Sequence, residues 1–373
     1  MRKVTLKVKD LLRGLLYRLG LEVRRFVRYQ ALTEKPDIVV VGPYKLHNFG
    51  DDLIGLVIAR QHQLQGNTVC IPGLSRENAR EYRLWGHAIY GARVDPAKMM
   101  LIGGGGLLGD AGVAPKSEYL ELGLSAAKRA DQLGVDAQIT GVGAGPLQVD
   151  AHKEIARDLV EYASHLGVRD PESYEFCVKE LGVSKDKLTL GADLALLWPE
   201  SLGVAPIRNG MVGLQCDIDD WLPAERARQV SQRFVKSARE NADQTILVTP
   251  MRRSDITDAL RETGIPQLRY EVMKDYLAVL SGMRAIVTSH LHLSIAAYAA
   301  GIPCFAVYVN DKTRRFYEQI GHPERAIPAA TASDSEIDEL LQEARSAKWT
   351  SADEDQLVKL KQEANGLVRV IVQ

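Results

Sequence analysis

The 373-residue chain has little cysteine, almost no net charge and no long apolar run. Its four cysteines, Cys70, Cys177, Cys216 and Cys304, stand far apart without CxxC spacing, which removes zinc ribbons and disulfide scaffolds. Three of them lie in apolar patterns and read as reduced, buried thiols. The eight histidines include no HExxH, and no metal site is expected. A formal net charge of −1 excludes general nucleic-acid binding, which draws on a basic excess. No apolar stretch approaches the roughly 18 residues of a membrane span, so the cytoplasm is the expected compartment. Internal repeats and low-complexity segments are also missing. What remains, 46% hydrophobic and 25% charged residues, is the composition of a globular protein. The length favours two domains.

Residues 1–30 stand apart. Lys and Arg recur there against only Asp10 and Glu22, and Leu12, Leu15, Leu16, Leu19, Val23, Phe26 and Val27 repeat at helical spacing. A basic amphipathic helix of this kind suits the inner face of a membrane, as a peripheral contact. It equally suits docking on the protein's own surface, and Gly14 and Gly20 weaken it as an isolated helix.

From Pro36 onward, strand-like runs (37–41, 68–71, 99–102, 137–140, 187–190) alternate with helical patterns such as 52–65, 119–133 and 152–165. That alternation predicts a mostly parallel sheet covered on both faces. The Pro- and Gly-rich stretch 198–210 reads as a linker, after which a second series begins at 211–214, 245–249 and 268–270. The expected organisation is α/β: a domain over 31–200 on the acceptor side and one over 201–373, with C-terminal helices, on the donor side. Two Rossmann-like domains would then face each other across a cleft.

The richest stretch is 285–321. An apolar strand (285–288) leads into Ser289-His290-Leu291-His292 and a helix rich in small residues, which Gly301 and Pro303 stop. A second strand, 304–309, completes a β-α-β unit. Its polar residues therefore fall at a strand C-terminus and a helix N-terminus, where open α/β sheets bind ligands and anions. Similar strand-to-helix junctions carry His47-Asn48-Phe49-Gly50-Asp51-Asp52, Gly103 to Gly106, Gly141-Val142-Gly143-Ala144-Gly145-Pro146, Val168-Arg169-Asp170-Pro171-Glu172-Ser173, and Asp193. The glycine runs are neither GxGxxG nor a Walker A loop, so no nucleotide is implied. Asp51 and Asp52 also fit simple helix capping, and an Arg–Asp pair at a strand end fits a structural ion pair.

Taken in order, NFGDD, GGGGLLGD, GVGAGPL, VRDPES, GADLAL and SHLHLSIAAYAAGIP resemble the landmarks of the polysaccharide pyruvyl transferases. In that family they take the form N-x-GD, GGG, a G-x-G-P-like turn, R-D-x-x-S, a strand-ending Asp, and S-R-L-H followed by A-x-x-x-G-x-P. The resemblance covers roughly residues 37–321. It implies a glycosyltransferase-B-like fold and no cofactor beyond phosphoenolpyruvate as donor substrate. It also implies transfer of the enolpyruvyl group to a sugar as a ketal, and places His292 at the family's catalytic histidine. One departure stands out: His290 occupies the position of the family arginine, and an imidazole cannot grip an anion with two parallel hydrogen bonds.

A donor bearing a carboxylate and a phosphate needs cations or helix N-termini. Lys312, Arg314 and Arg315 follow the last strand of the unit, and Arg252 and Arg253 follow 245–249. All of these also fit solvated surface. We assign His292 to general acid or base work, His290 and Ser289 to the donor anion, and Asp51 to an acceptor hydroxyl. Asn48, Gly50, Gly104 and Gly105 are expected beside substrate, together with Lys312, Arg314 and Arg252. The resemblance implies as acceptor a sugar of a cell-surface polysaccharide or lipid-linked glycan, and the basic helix over residues 1–30 suits the latter. Two alternatives stay open. One is a nucleotide-sugar glycosyltransferase using Glu318 or Glu324 for the ribose; the other is a catalytically silent assembly protein of a glycan pathway.

Overall fold

Short runs of Val, Ile and Leu bounded by Gly, Pro and Asp bury on both faces only if helices cover the sheet on each side. In the computed structural model these runs form two six-stranded, all-parallel sheets. The structure describes residues 35–84, 94–110, 117–251 and 257–372. The first sheet contains β1 (Ile38–Val41), β2 (Val69–Cys70), β3 (Met99–Leu108), β4 (Asp136–Ala144), β5 (His165–Val168) and β6 (Leu188–Leu190). Their spatial order is β2-β1-β3-β4-β5-β6. The second contains β7 (Val212–Gln215), β8 (Thr245–Thr249), β9 (Gln267–Arg269), β10 (Ala285–Thr288), β11 (Cys304–Tyr308) and β12 (Ala326–Pro328), ordered β12-β11-β10-β7-β8-β9. Each sheet reverses its winding direction at one strand, which opens a crevice at the strand C-termini.

Three sequence expectations change. The glycine runs do not follow their strands but continue them: Gly103 pairs with Thr140, Gly105 with Val142, and Leu108 with Ala144 across a register shift. Gly103, Gly104 and Gly105 have φ of 142°, 83° and 71°, a run that side chains resist. Trp198 does not belong to a linker. It starts a short helix (Trp198–Leu202), is buried, and its Nε1–H donates to the Ala296 carbonyl across the halves at 3.0 Å. Finally, the last helix (Ser351–Val372), expected within the second domain, returns to the first sheet. Gly167 and Gly191 lack side chains where its Leu367 packs.

The two halves share a core. The Phe49–Gln63 helix is buried along most of its length, with Leu53, Leu56 and Val57 in one cluster with Tyr276, Leu293 and Tyr298 of the second half. Phe49, Tyr270 and Tyr276 form an aromatic triangle with ring centroids 4.9–5.6 Å apart. Beside it the Tyr270 hydroxyl donates to Asp52 Oδ2 at 2.7 Å and accepts from Asn78 Nδ2 at 2.7 Å. Asn78 Oδ1 in turn accepts from the Met273 amide at 2.8 Å. Backbone joins the halves as well, since the Phe49 amide donates to the Pro250 carbonyl at 2.9 Å.

Replacing Tyr270 by Phe keeps the ring but leaves two buried polar groups without that partner. A loss of about 1–3 kcal/mol is expected, measured as a lower midpoint of denaturant unfolding with little change in slope.

Candidate active site

The C-terminal edges of the two sheets meet where the first turn of the Phe49–Gln63 helix abuts that of the Leu291–Ala299 helix. Asn48 caps the former, its Oδ1 accepting from the Gly50 amide at 3.0 Å. A methyl group at Gly50 would overlap the His292 imidazole at Nδ1, so the second residue of that helix is glycine because a histidine from the other half lies on it. Capping therefore falls to Asn48 and leaves Asp51 available. The Asp51 carboxylate lies against Gly105, where a side chain would meet its Oδ1 at 2.5 Å.

Arg169 follows β5 and is 5% exposed. Its Nη1 donates to Asp193 Oδ2 at 2.9 Å and stands 3.5 Å from His292 Nε2, while Asp193 Oδ2 is 3.8 Å from the same nitrogen. Gly143 makes room for the guanidinium, since a Cβ there would sit 2.9 Å from Nη2. Nε2 thus faces both a donor, the guanidinium, and an acceptor, the Asp193 carboxylate. Lys312, in the first turn of the Asp311–Gln319 helix after β11, completes the group. No hydrogen bond or ion pair within 4.0 Å engages its ammonium among the described residues, although Asp51, Asp193 and Arg169 all act on its charge.

The electrostatics follow from burial. It lowers His292 well below the ordinary imidazole value, helped by Arg169, His290 and Lys312. His290 falls to about 3 through burial and then Lys312, and its buried Nδ1 has no hydrogen-bond partner among the described residues. Lys312 comes down to about 8, chiefly by burial and then by Arg169, with Asp51 and Asp193 pulling the other way. Burial pushes Asp51 up to about 6, against Lys312 and Arg169. Among the described residues the free site therefore holds two cations, two neutral imidazoles and carboxyls that burial makes reluctant to ionise.

Several expectations need correction. Arg314 is outside the group: its guanidinium pairs with Asp311 at 2.7 Å and Glu318 at 2.6 Å on the exposed side of its own helix. A surface arginine with acids three residues before it and four after it is satisfied there. The Ser289 hydroxyl is taken by the scaffold, accepting from the Asp217 amide at 3.0 Å and lying 3.2 Å from both Gln215 Oε1 and the Asp217 carbonyl. Gly104 serves packing, because a Cβ there would sit 2.7 Å from Ile54 Cγ2; Gly106 is the exposed member of the run. Glu318 and Glu324, considered for a ribose, pair with Arg314 and His322. Arg252 and residues 1–30 lie outside the described residues.

The structure brings in two residues that sequence reasoning left among structural ion pairs, Arg169 and Asp193. The signal was present in VRDPES and GADLAL, two of the ordered landmarks; what sequence lacked was the distance from β5 and β6 to His292. Among the described residues no group of three or more His, Cys, Asp or Glu is placed to hold a metal ion, and no helix is long and apolar enough to cross a membrane.

Two facing parallel sheets with polar residues gathered at their C-terminal edges define a glycosyltransferase-B fold. Solved structures agree on the fold. UDP-GlcNAc 2-epimerase from Neisseria meningitidis superposes with a TM-score of 0.59 at 11% identity, over 90% of this chain and 99% of that one. The UDP-GlcNAc 2-epimerase of Methanocaldococcus jannaschii, in complex with UDP-GlcNAc and UDP, gives 0.55 at 12%, over 90% and 99%. A glycosyltransferase from Rickettsia africae gives 0.54 at 9%, over 91% and 97%. None of the curated proteins matches by sequence. The family model for polysaccharide pyruvyl transferase matches residues 48–311, from the Asn48 cap to the turn that carries Lys312, and the chain belongs to that family.

The steric role of Gly50 separates it from Gly106, around which a Cβ would meet open space. Gly50→Ala is expected to cost about 1–3 kcal/mol in stability and to shift the ring-nitrogen resonances of His292. Gly106→Ala should leave both unchanged.

Proposed function

We propose that the chain transfers the enolpyruvyl group of phosphoenolpyruvate to a sugar of a cell-surface polysaccharide or lipid-linked glycan, forming a pyruvate ketal. The observation that carries this reading is Arg169, from one half, standing 3.5 Å from His292 of the other, with the charge of Lys312 also acting on that ring. Phosphoenolpyruvate has two anionic ends, and two cations from opposite walls can hold both. His290, neutral beside Lys312, is a hydrogen-bonding group rather than the cation that the family arginine would supply.

The reaction balances without a cofactor. A proton adds to the methylene carbon, and the neighbouring carbon takes on oxocarbenium character. One sugar hydroxyl attacks it, phosphate leaves, and a second hydroxyl closes the ketal. Of the two hydroxyl protons released, one replaces the proton now in the methyl group and the other leaves with phosphate. His292 is the acid. It is neutral in the free site, but a bound trianion opposes Arg169 and Lys312 and raises its affinity for a proton. Asp51, which burial raises to about 6 in the free site, is the base that accepts the proton of the attacking hydroxyl.

The test is direct assay of phosphate release and of a ketal carbon signal with phosphoenolpyruvate and candidate glycans, with UDP-sugars as controls. His292→Asn is expected to lower kcat by about 10²–10⁴ while binding of phosphoenolpyruvate persists. Turnover of a UDP-sugar with no phosphate release would overturn the reading.

Binding carries a pH signature. Lys312 loses its charge as pH rises through about 8, so the donor Kd should climb more steeply with pH above that value than below it. Lys312→Arg moves the weakening limb to higher pH; an unchanged limb in calorimetric titrations would remove Lys312 from the donor site.

A further inference from the structure

We infer that Arg315 and Gln319 are positioning residues that hold Arg169 against His292 across the two halves. This rests on the donor site proposed above for its consequence in binding, though not for its geometry. Lys312, Arg315 and Gln319 occupy one helix of the second half (Asp311–Gln319). Arg315, its side chain 13% exposed, places Nη1 3.4 Å from Asp170 Oδ1 and Nε 3.2 Å from Asp311 Oδ2. One turn on, Gln319 Nε2 donates to the carbonyl of Arg169 itself at 3.1 Å. The helix that presents Lys312 therefore also grips the two residues at the end of β5, by side chain at 170 and by backbone at 169.

On the other side, Asp170 is fixed in its own half. Its Oδ1 accepts from the Ser173 amide at 2.8 Å as the cap of the Pro171–Lys179 helix, and the Ser173 hydroxyl accepts from the Ala144 amide at 2.8 Å. Asp170 Oδ2 lies 3.8 Å from Arg169 Nε. A contact from the Asp311–Gln319 helix to this unit thus sets the span between Arg169 and Lys312, the two cations on opposite walls. Neither Arg315 nor Gln319 reaches His292 in the contacts that the structure shows. They act through Arg169.

Selective ¹⁵N labelling of histidine reads the geometry whatever the donor, with the His292 resonances assigned by loss in His292→Asn. Arg315→Ala and Gln319→Ala are expected to shift those ring nitrogens, and Arg315→Lys to return them toward wild type. If one alanine variant fails to fold, the other carries the test. Unchanged His292 resonances in a folded variant overturn the inference. In calorimetric titration with phosphoenolpyruvate, loss of a charge-assisted contact predicts a roughly tenfold weaker Kd with Lys312→Ala as reference. An unchanged Kd beside a weakened reference likewise overturns it. If wild type does not bind phosphoenolpyruvate but the resonances shift, the proposed function fails and the positioning role stands.

Discussion

One steric contact organises the site. The imidazole of His292, from the second half, lies on Gly50 in the first turn of a helix from the first half, where any side chain would overlap it. Two helix N-termini can approach this closely only because one of them presents bare backbone. The same first half places Asp51 against Gly105 and brings Arg169 and Asp193 to 3.5 and 3.8 Å from His292 Nε2. Tyr44 braces the glycine run of β3. Its hydroxyl donates to the Gly103 carbonyl at 2.8 Å, and Gly42 and Gly55 leave space for its ring.

Burial then decides the charges. Imidazoles removed from water beside Arg169 and Lys312 stay neutral, and carboxyls removed from water are pushed upward. An anion there would oppose Lys312, which makes no close ion pair among the described residues, and Arg169, already paired with Asp193, and would restore the basicity of His292. A guanidinium at position 290 would have added a third cation to the same wall. With histidine there, the described residues of the second half contribute Lys312 to this charge cluster, and Arg169 comes from the opposite half.

The halves are fastened on more than one side of this site. Tyr270, Asp52 and Asn78 link them through buried hydrogen bonds, Trp198 reaches Ala296, and the last helix ties Tyr298 and Arg325 through Asp353. Buried polar links of this kind have few alternative partners, so they define one relative placement of the sheets rather than a range. Arg169 and Lys312 can be spaced in advance only on such a frame.

Most of the fold was legible because parallel strands buried on both faces leave short apolar runs, and Gly, Pro and Asp mark their ends. β12 and the continuation of β3 and β4 through their glycines were not, since Ala326–Pro328 has no distinct pattern and glycine normally signals a break. In the site, His292, His290, Asp51 and Lys312 could be picked out as polar residues at strand-to-helix junctions. Arg314, two residues from Lys312 and so on a different side of the helix, could not be told from it, because which side faces the cleft depends on where that helix packs. Arg169 and Asp193 read as an ordinary ion pair until β5 and β6 brought them to His292. By itself the sequence determined the elements, their parallel pairing and the family landmarks, all of which are properties of local pattern. Tertiary structure alone decided which charges meet, because that depends on distances between residues more than a hundred positions apart and on the water excluded between them.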